Sequence, residues 1–335
     1  MTLTRVVVAA LCCVRVAESQ TPAPIIDMHL HASSVAAFAG LAGGKFPVPH
    51  CVPMTDYPVP ESGQKWPESF SNPGDACRAT MSATSDTGLM RHTLAIMERR
   101  NIIGVVSGAR VNSWMAVAPN RLIPSNDLAG RPSMDSLRAW FTRKRIAAIA
   151  EVAVQYGGME PDDPSLRTMW ALAEELEIPV GIHIGTGPVG APYVGPFTRY
   201  RARLHSPLLL EEVLVRHPRL RVWIMHAGWP MLDDLLAMLW THPHLYVDVG
   251  VLDWALPRKE FHRYLQRVVE AGFGKRVMFG SDQMIWPETI EMGLESIESA
   301  TFLTPAQKRD ILYNNAARFL RLTPQEIARH HGKSQ

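Results

Sequence analysis

The stretch Ile26-Asp27-Met28-His29-Leu30-His31 is a short apolar run that closes on two histidines. Three later segments end in the same way: Val180-Gly181-Ile182-His183, Val222-Trp223-Ile224-Met225-His226 and Val277-Met278-Phe279-Gly280-Ser281-Asp282. A short apolar run bounded by polar residues is the pattern of a buried parallel strand. If the four runs belong to one sheet, imidazole and carboxylate groups from distant parts of the chain converge at a single sheet edge. Such a set is the material of a catalytic divalent-metal site.

Working outward, β-branched runs alternate with amphipathic stretches from residue 101 onward, which implies βα units and a parallel sheet. Strands are expected at 25–30, 102–107, 115–123, 146–151, 179–184, 221–226, 244–249 and 276–281. Eight parallel strands close a barrel, and 335 residues fit one such domain. The expected fold is therefore α/β, a (β/α)8 TIM barrel with a long insertion after strand 1. Helix starts are marked by Asp163-Pro164 and Ser206-Pro207, where a cap precedes Pro at the first helical position. Thr304-Pro305-Ala306-Gln307 adds a capping box.

Two segments exceed a minimal barrel. Residues 32–85 are rich in Pro, Gly and Ser and follow the first ligand strand, so a lid over the site is expected there. A second long connection, Gly185 to His205, follows His183 and carries Arg199, Arg201 and Arg203. At the N-terminus, Arg5, the apolar run Val6–Val14 and the small residues Ala17 and Ser19 read as a secretory signal peptide over residues 1–19. That run is shorter than the about 20 residues a membrane span needs. The mature chain would be a single domain, 20–335, exported to the periplasm or beyond. It keeps Cys51 and Cys77, an even pair and a disulfide candidate. The polar tail from Pro324, with His330-His331, reads as a solvated end.

The composition, 47% hydrophobic and 20% charged with a net charge of +2, is that of an ordinary globular domain. Its charges are scattered, which gives no footprint for nucleic acid or an anionic membrane surface and leaves a small-molecule substrate as the expected partner.

His29 and His31, two apart on a strand, share one face, with Met28 and Leu30 turned away. A lone His-x-His pair or a single strand-end histidine is commonly a rim residue, and Asp282 alone could cap a following helix. Their joint occurrence favours ligation. His183 and His226 each precede a glycine by two residues, in His183-Ile184-Gly185 and His226-Ala227-Gly228.

His-x-His on strand 1, His on strands 5 and 6 and Asp on strand 8 resembles the amidohydrolase superfamily. The closer resemblance is to its amidohydrolase-related branch, which includes lactonases and aminocarboxymuconate-semialdehyde-type decarboxylases. It runs over residues 24–322, and Asn314-Asn315-Ala316-Ala317-Arg318-Phe319-Leu320 looks like that branch's closing helix. The resemblance implies a metal-dependent hydrolase acting on an amide, ester or lactone carbonyl, with a non-hydrolytic decarboxylase as the alternative, and a homodimer would fit it. Superfamily members can carry a bridging lysine or glutamate on strand 4. Here Glu151 is the candidate bridge, while Lys144 lies at the other end of that strand. The implied metal set is His29, His31, Glu151, His183, His226 and Asp282, for one or two ions.

Imidazole and carboxylate ligands suit zinc best, with manganese or iron compatible. Such an ion lowers the pKa of its water from about 15.7 toward 7, so hydroxide exists at neutral pH. Asp282 would act as general base and then acid, and His226 or a second ion would polarise the carbonyl. Substrate contacts are expected from loop residues after the strands, chiefly Arg110, Trp114, Trp229 and Gln283.

Overall fold

A computed structural model describes residues 22–42, 45–52, 78–187, 190–193 and 197–332. The expected signal segment and Cys77 lie outside the described residues. Cys51 is disulfide-bonded.

Eight parallel strands form one sheet in the order β1 (Ile25–His31), β4 (Ile102–Ser107), β5 (Leu122–Asn126), β6 (Ala148–Val152), β7 (Val180–His183), β8 (Val222–Met225), β9 (Tyr246–Asp248) and β10 (Val277–Met278). The last strand returns to the first: Met28 N–H donates to Phe279 O at 2.9 Å and Asp282 N–H to His29 O at 2.7 Å. Helices between the strands pack on the outside, so the architecture is the expected (β/α)8 barrel.

The barrel interior is filled by Ile26, Met28, Val105, Ala148, Ala150, Trp223, Met225 and Met278. Tyr313, Ala316 and Phe319 of the closing helical segment pack against this cluster. Gly181 makes room for the Trp223 indole, because a Cβ there would come within 2.4 Å of the ring. The larger outer core lies between strands and helices and includes Leu30, Ile96, Met97, Trp170 and Ile224.

One expected strand is corrected. Residues 115–123 are not a strand: a helix spans Val111–Val117 and β5 begins at Leu122. Val111, Trp114, Met115 and Ala118 turn inward while Asn112, Ser113, Ala116 and Val117 are exposed, a helical rather than a two-residue period. Ser113 Oγ also donates to Arg110 O at 2.7 Å, stabilising the first turn. The other seven strands start or end within a few residues of expectation. The Asp163, Ser206 and Thr304 caps all form, the last as a capping box.

Within the expected insertion, a 3-10 turn covers Val35–Ala42, and β2 (Pro49–Val52) pairs antiparallel with β3 (Arg78–Met81). Residues 53–77, which would decide whether it forms a lid, lie outside the described residues. The tail is ordered by a second capping box, Thr323 with Glu326, and His330 Nδ1 lies 3.0 Å from Tyr313 Oη. His330 thus ends a docked helix, with His331 as its exposed C-cap. Among the described residues, no helix is long and apolar enough to cross a membrane.

Glu174 clamps the helix Arg167–Glu175 to the turn before β8, accepting from Arg219 N–H at 2.9 Å and pairing with His217 Nδ1 at 3.0 Å. Burial acts to raise its pKa, but the Arg219 N–H and His217 outweigh it and hold the carboxyl below its ordinary 4.5. The fold therefore favours the ionised form. Its stabilisation is present above the unfolded pKa and is lost as pH falls through the depressed native value. Glu174→Gln is expected to flatten this acid limb, read as urea midpoints of both proteins between about pH 3 and about pH 6. Parallel pH profiles would remove the clamp from the stability account.

Candidate metal centre

At the carboxyl ends of the strands, six side chains meet. His29 and His31 come from β1, Glu151 from β6 and His183 from β7, while His226 and Asp282 sit on the turns after β8 and β10. Glu151 stands in the middle. Its Oε1 contacts His183 Nδ1 and lies 3.5 Å from His226 Nε2, and its Oε2 lies 3.7 Å from both His29 Nε2 and His31 Nε2. Asp282 Oδ1 is 3.0 Å from His31 Nε2 and 3.7 Å from His29 Nε2. Two sets sharing His29 have ligand atoms within 4.8 Å of one another: His29, His31 and Asp282, and His29, Glu151 and His226. Lys144 is on an exposed turn before β6, away from these atoms.

Local backbone choices produce this convergence. The β1–β4 register shifts between Asp27 and Leu30, and Asp27 Oδ1 pins the irregularity by accepting the N–H groups of His29 and Ser281, each at 2.9 Å. Met28 therefore packs in the barrel interior and Leu30 in the outer core, so Met28 is not turned away as alternation predicts. The extra residue lets both His29 and His31 reach the mouth. Four non-glycine residues at the mouth have positive φ: His226 (65°), Ala227 (45°), Val251 (62°) and Asp282 (47°). Such strain persists where the surroundings over-determine it. Here Tyr264 Oη donates to Ala227 O at 2.8 Å and Trp254 Nε1 to Ser281 O at 2.6 Å. Gly250 and Gly280 are required by crowding on His29, since a Cβ on either would lie 2.8 Å from that side chain.

Outer partners orient the imidazoles. His29 Nδ1 faces the Asp248 carboxylate at 3.4–3.5 Å, His31 Nδ1 faces Ser107 Oγ at 3.4 Å, and His226 Nδ1 faces Gly250 O at 2.9 Å. Asp248 is fully buried and also accepts from Gly250 N–H at 2.9 Å, His226 N–H at 3.2 Å and Trp223 Nε1 at 3.0 Å. Sequence reading missed Asp248, although it closes the apolar run of strand 244–249 just as the ligands close theirs. Partners of this kind are worth about 10–100-fold in metal affinity. Asp248→Asn is expected to weaken divalent-ion binding by that range, measured by competitive titration against a chelating indicator. Unchanged affinity would show that His29 needs no carboxylate behind it.

The electrostatics fit a cation. Burial would raise Glu151, yet His183, His226 and His29 hold it well below the usual carboxylate range. Asp282 is likewise lowered against burial by His29 and His31. Burial would lower His29, but Asp282 and Asp248 push it well above its ordinary value, and Glu151 and Asp282 raise His226. His183 is lowered by burial and by neighbouring His226. The two ionised carboxylates thus draw positive charge into a buried site, and a divalent ion can replace the protons. His29 Nε2 is buried without a hydrogen-bond partner, as a ligand atom awaiting an ion would be.

Two of the expected substrate contacts, Trp114 and Gln283, are buried. Gln283 is fully buried and uses both amide ends on His31, accepting its N–H at 2.9 Å and donating to its carbonyl at 2.5 Å, so it braces the strand that carries His31. Trp114 is a core residue with no exposure. Arg110 pairs with Asp86 at 2.6 Å, and the Trp229 indole N–H donates to Glu260 at 3.3 Å. The mouth is flanked instead by His50 of β2, set edge-on against Trp254 and Trp286 at 5.2 and 4.8 Å, and by Tyr156, 4.8 Å from the His183 ring. A cavity of about 560 Å³ lies near Asn101, Arg121 and His330 at the opposite end of the barrel and contains none of the six residues.

The same fold occurs in solved structures of low sequence identity. A 5-carboxyvanillate decarboxylase from Sphingomonas paucimobilis is 13% identical with a TM-score of 0.56, covering 90% of this chain and 100% of that one. A probable 2-pyrone-4,6-dicarboxylic acid hydrolase from Acinetobacter baumannii is 15% identical with a TM-score of 0.55, covering 89% and 99%. A dihydroxybenzoic acid decarboxylase from a Polaromonas species, solved with bound manganese and 2-nitroresorcinol, is 13% identical with a TM-score of 0.58, covering 90% and 98%. No curated protein matches the chain in sequence. The family model described as amidohydrolase, however, matches residues 26–322, from the bulged strand that carries His29 and His31 to the closing helix, and the chain therefore belongs to the amidohydrolase family of metal-dependent enzymes.

Proposed function

We propose that the protein is an exported metal-dependent hydrolase that opens an amide, ester or lactone carbonyl of a small molecule. The observation that carries this reading is the placement of Glu151, one oxygen toward His183 and His226 and the other toward His29 and His31. A carboxylate so placed supports two adjacent ions, the arrangement suited to hydrolysis. His29, His31 and Asp282 would hold one and Glu151, His183 and His226 the other, with zinc the best match to these donors and manganese compatible. When bound, the metal supplies a water made acidic enough to ionise near neutral pH and an electrophile for the carbonyl oxygen.

The chain's own groups do the rest. Asp282, kept ionised by His29 and His31, takes the proton of the attacking water on a carboxylate oxygen and returns it to the leaving nitrogen or oxygen. His226, with Nδ1 fixed on Gly250 O, presents Nε2 to the site. The disulfide at Cys51 supports an oxidising compartment and hence export.

A decarboxylase is the second reading, favoured by the compactness of the His29, His31 and Asp282 set, which suffices for a single ion. Metal analysis of the purified protein, paired with panels of lactones, aryl esters and aromatic carboxylates, tests both. Two ions with ester or lactone turnover support hydrolysis. One ion with carbon dioxide released from an aromatic carboxylate overturns it in favour of the lyase, and a protein that binds no divalent ion overturns both.

A further inference from the structure

Three of the four imidazoles at the centre have an outer hydrogen-bond partner; among the described residues His183 has none. Its Nδ1 faces the site, against Glu151 and 3.0 Å from His226 Nε2. Its Nε2, turned away, is buried without a hydrogen-bond partner. A histidine that ligates through one nitrogen nearly always commits the other to a carboxylate, a carbonyl or a water.

Beside His183 lies a second unsatisfied imidazole. His205 ends the long connection after β7, has no exposure, and has neither ring nitrogen in a hydrogen bond. Its ring stands 5.4 Å from that of His183 at an interplanar angle of 77°, and Tyr200 covers it at 4.6 Å. Tyr200 is itself tied to the connection, its hydroxyl accepting from Gly187 N–H at 2.7 Å. The backbone of Gly185 faces His205 without completing a hydrogen bond. An apolar ring would fill this box at no polar cost, whereas a buried imidazole without partners is penalised. Two neighbouring orphan imidazoles satisfy one another if Nε2–H of His183 donates to one nitrogen of His205, whose other nitrogen then turns its N–H toward Gly185.

We propose that His205 is a positioning residue: it accepts from His183 Nε2, directly or through one water, and so fixes Nδ1 of His183 as the atom turned to the metal. The inference rests on the reading of His183 as a ligand. It also gives the Gly185–His205 connection a task, because the same segment that follows the ligand strand returns to brace the ligand from behind. His205 does for His183 what Asp248 does for His29.

The test titrates apo wild type, His205→Phe and His205→Gln with Zn2+ and Co2+, reading ions per chain, dissociation constants and the visible spectrum of the Co2+ form. His205→Phe should weaken one ion about 10–100-fold and shift the Co2+ bands, leaving the ion on His29, His31 and Asp282 unaffected. His205→Gln, whose amide can accept from His183, should recover most of the affinity and the spectrum. Wild-type affinity and spectrum in His205→Phe would overturn the proposal, as would equal losses in both variants, the sign of a packing role. If His205→Phe does not fold, long-range 1H–15N spectra of the metal-loaded wild type decide: a slowly exchanging His183 Nε2–H supports the proposal and a rapidly exchanging one overturns it. Wild type that binds no ion defeats the functional reading itself, whereas wild type that binds ions alongside an indifferent His205→Phe defeats this inference alone.

Discussion

Asp282→Asn is expected to lower kcat by about a thousandfold on the best ester or lactone substrate while leaving the metal content close to wild type. Asparagine keeps the volume and one carbonyl oxygen for an ion, but it cannot take a proton from water at any useful pH. Asp282 suits the task because His29 and His31 hold it ionised, so its proton-accepting form is present throughout the neutral range. The sign of the pH dependence follows: the wild-type rate falls as pH drops through the depressed Asp282 pKa, and the residual rate of the variant lacks that limb. Metal analysis of the same sample separates lost chemistry from lost ion. A variant that keeps more than about a tenth of the activity with full metal would remove Asp282 from proton transfer, since general acid–base catalysis contributes at least about a hundredfold.

The parts of this molecule that were legible in the sequence are those governed by local rules. Apolar runs ending in His183 and His226 announced buried strands because parallel strands are covered on both faces. The Asp163, Ser206 and Thr304 caps were readable because capping is set by a residue and its neighbours within one turn. What escaped depended on distant partners. The β1 bulge arises because Asp27 binds the N–H of Ser281, 254 residues away, and strict alternation therefore misplaced Met28. Asp248 looked like any strand residue until β8 and β9 brought it beneath His29, and Gln283 looked available until the barrel seam joined it to His31. The expected strand at 115–123 failed for a different reason: Trp114 to Val117 are uniformly apolar, and such a run cannot by itself distinguish a helix turn from a strand.

Glu151→Gln carries the second large effect, and it discriminates between the two reactions. The substitution preserves shape but removes a charge and one of two equivalent oxygens, so an amide cannot face His183 and His226 with one oxygen and His29 and His31 with another. A two-ion centre should therefore fall to one ion per chain, retained by His29, His31 and Asp282, and hydrolysis should drop by at least about a hundredfold with the loss of the second positive charge. The loss of the Glu151 anion also relaxes the pull on His29 and His226, both of which it helps to hold protonated. The remaining ion then competes with fewer protons, and its apparent affinity becomes less dependent on pH. A lyase that needs a single ion would respond differently: Glu151→Gln would keep one ion and most of its carbon dioxide release. Ion counts by elemental analysis across pH, with and without Glu151, thus read the reaction type from the protein alone, because the carboxylate that spans both halves of the site is dispensable in one chemistry and central to the other.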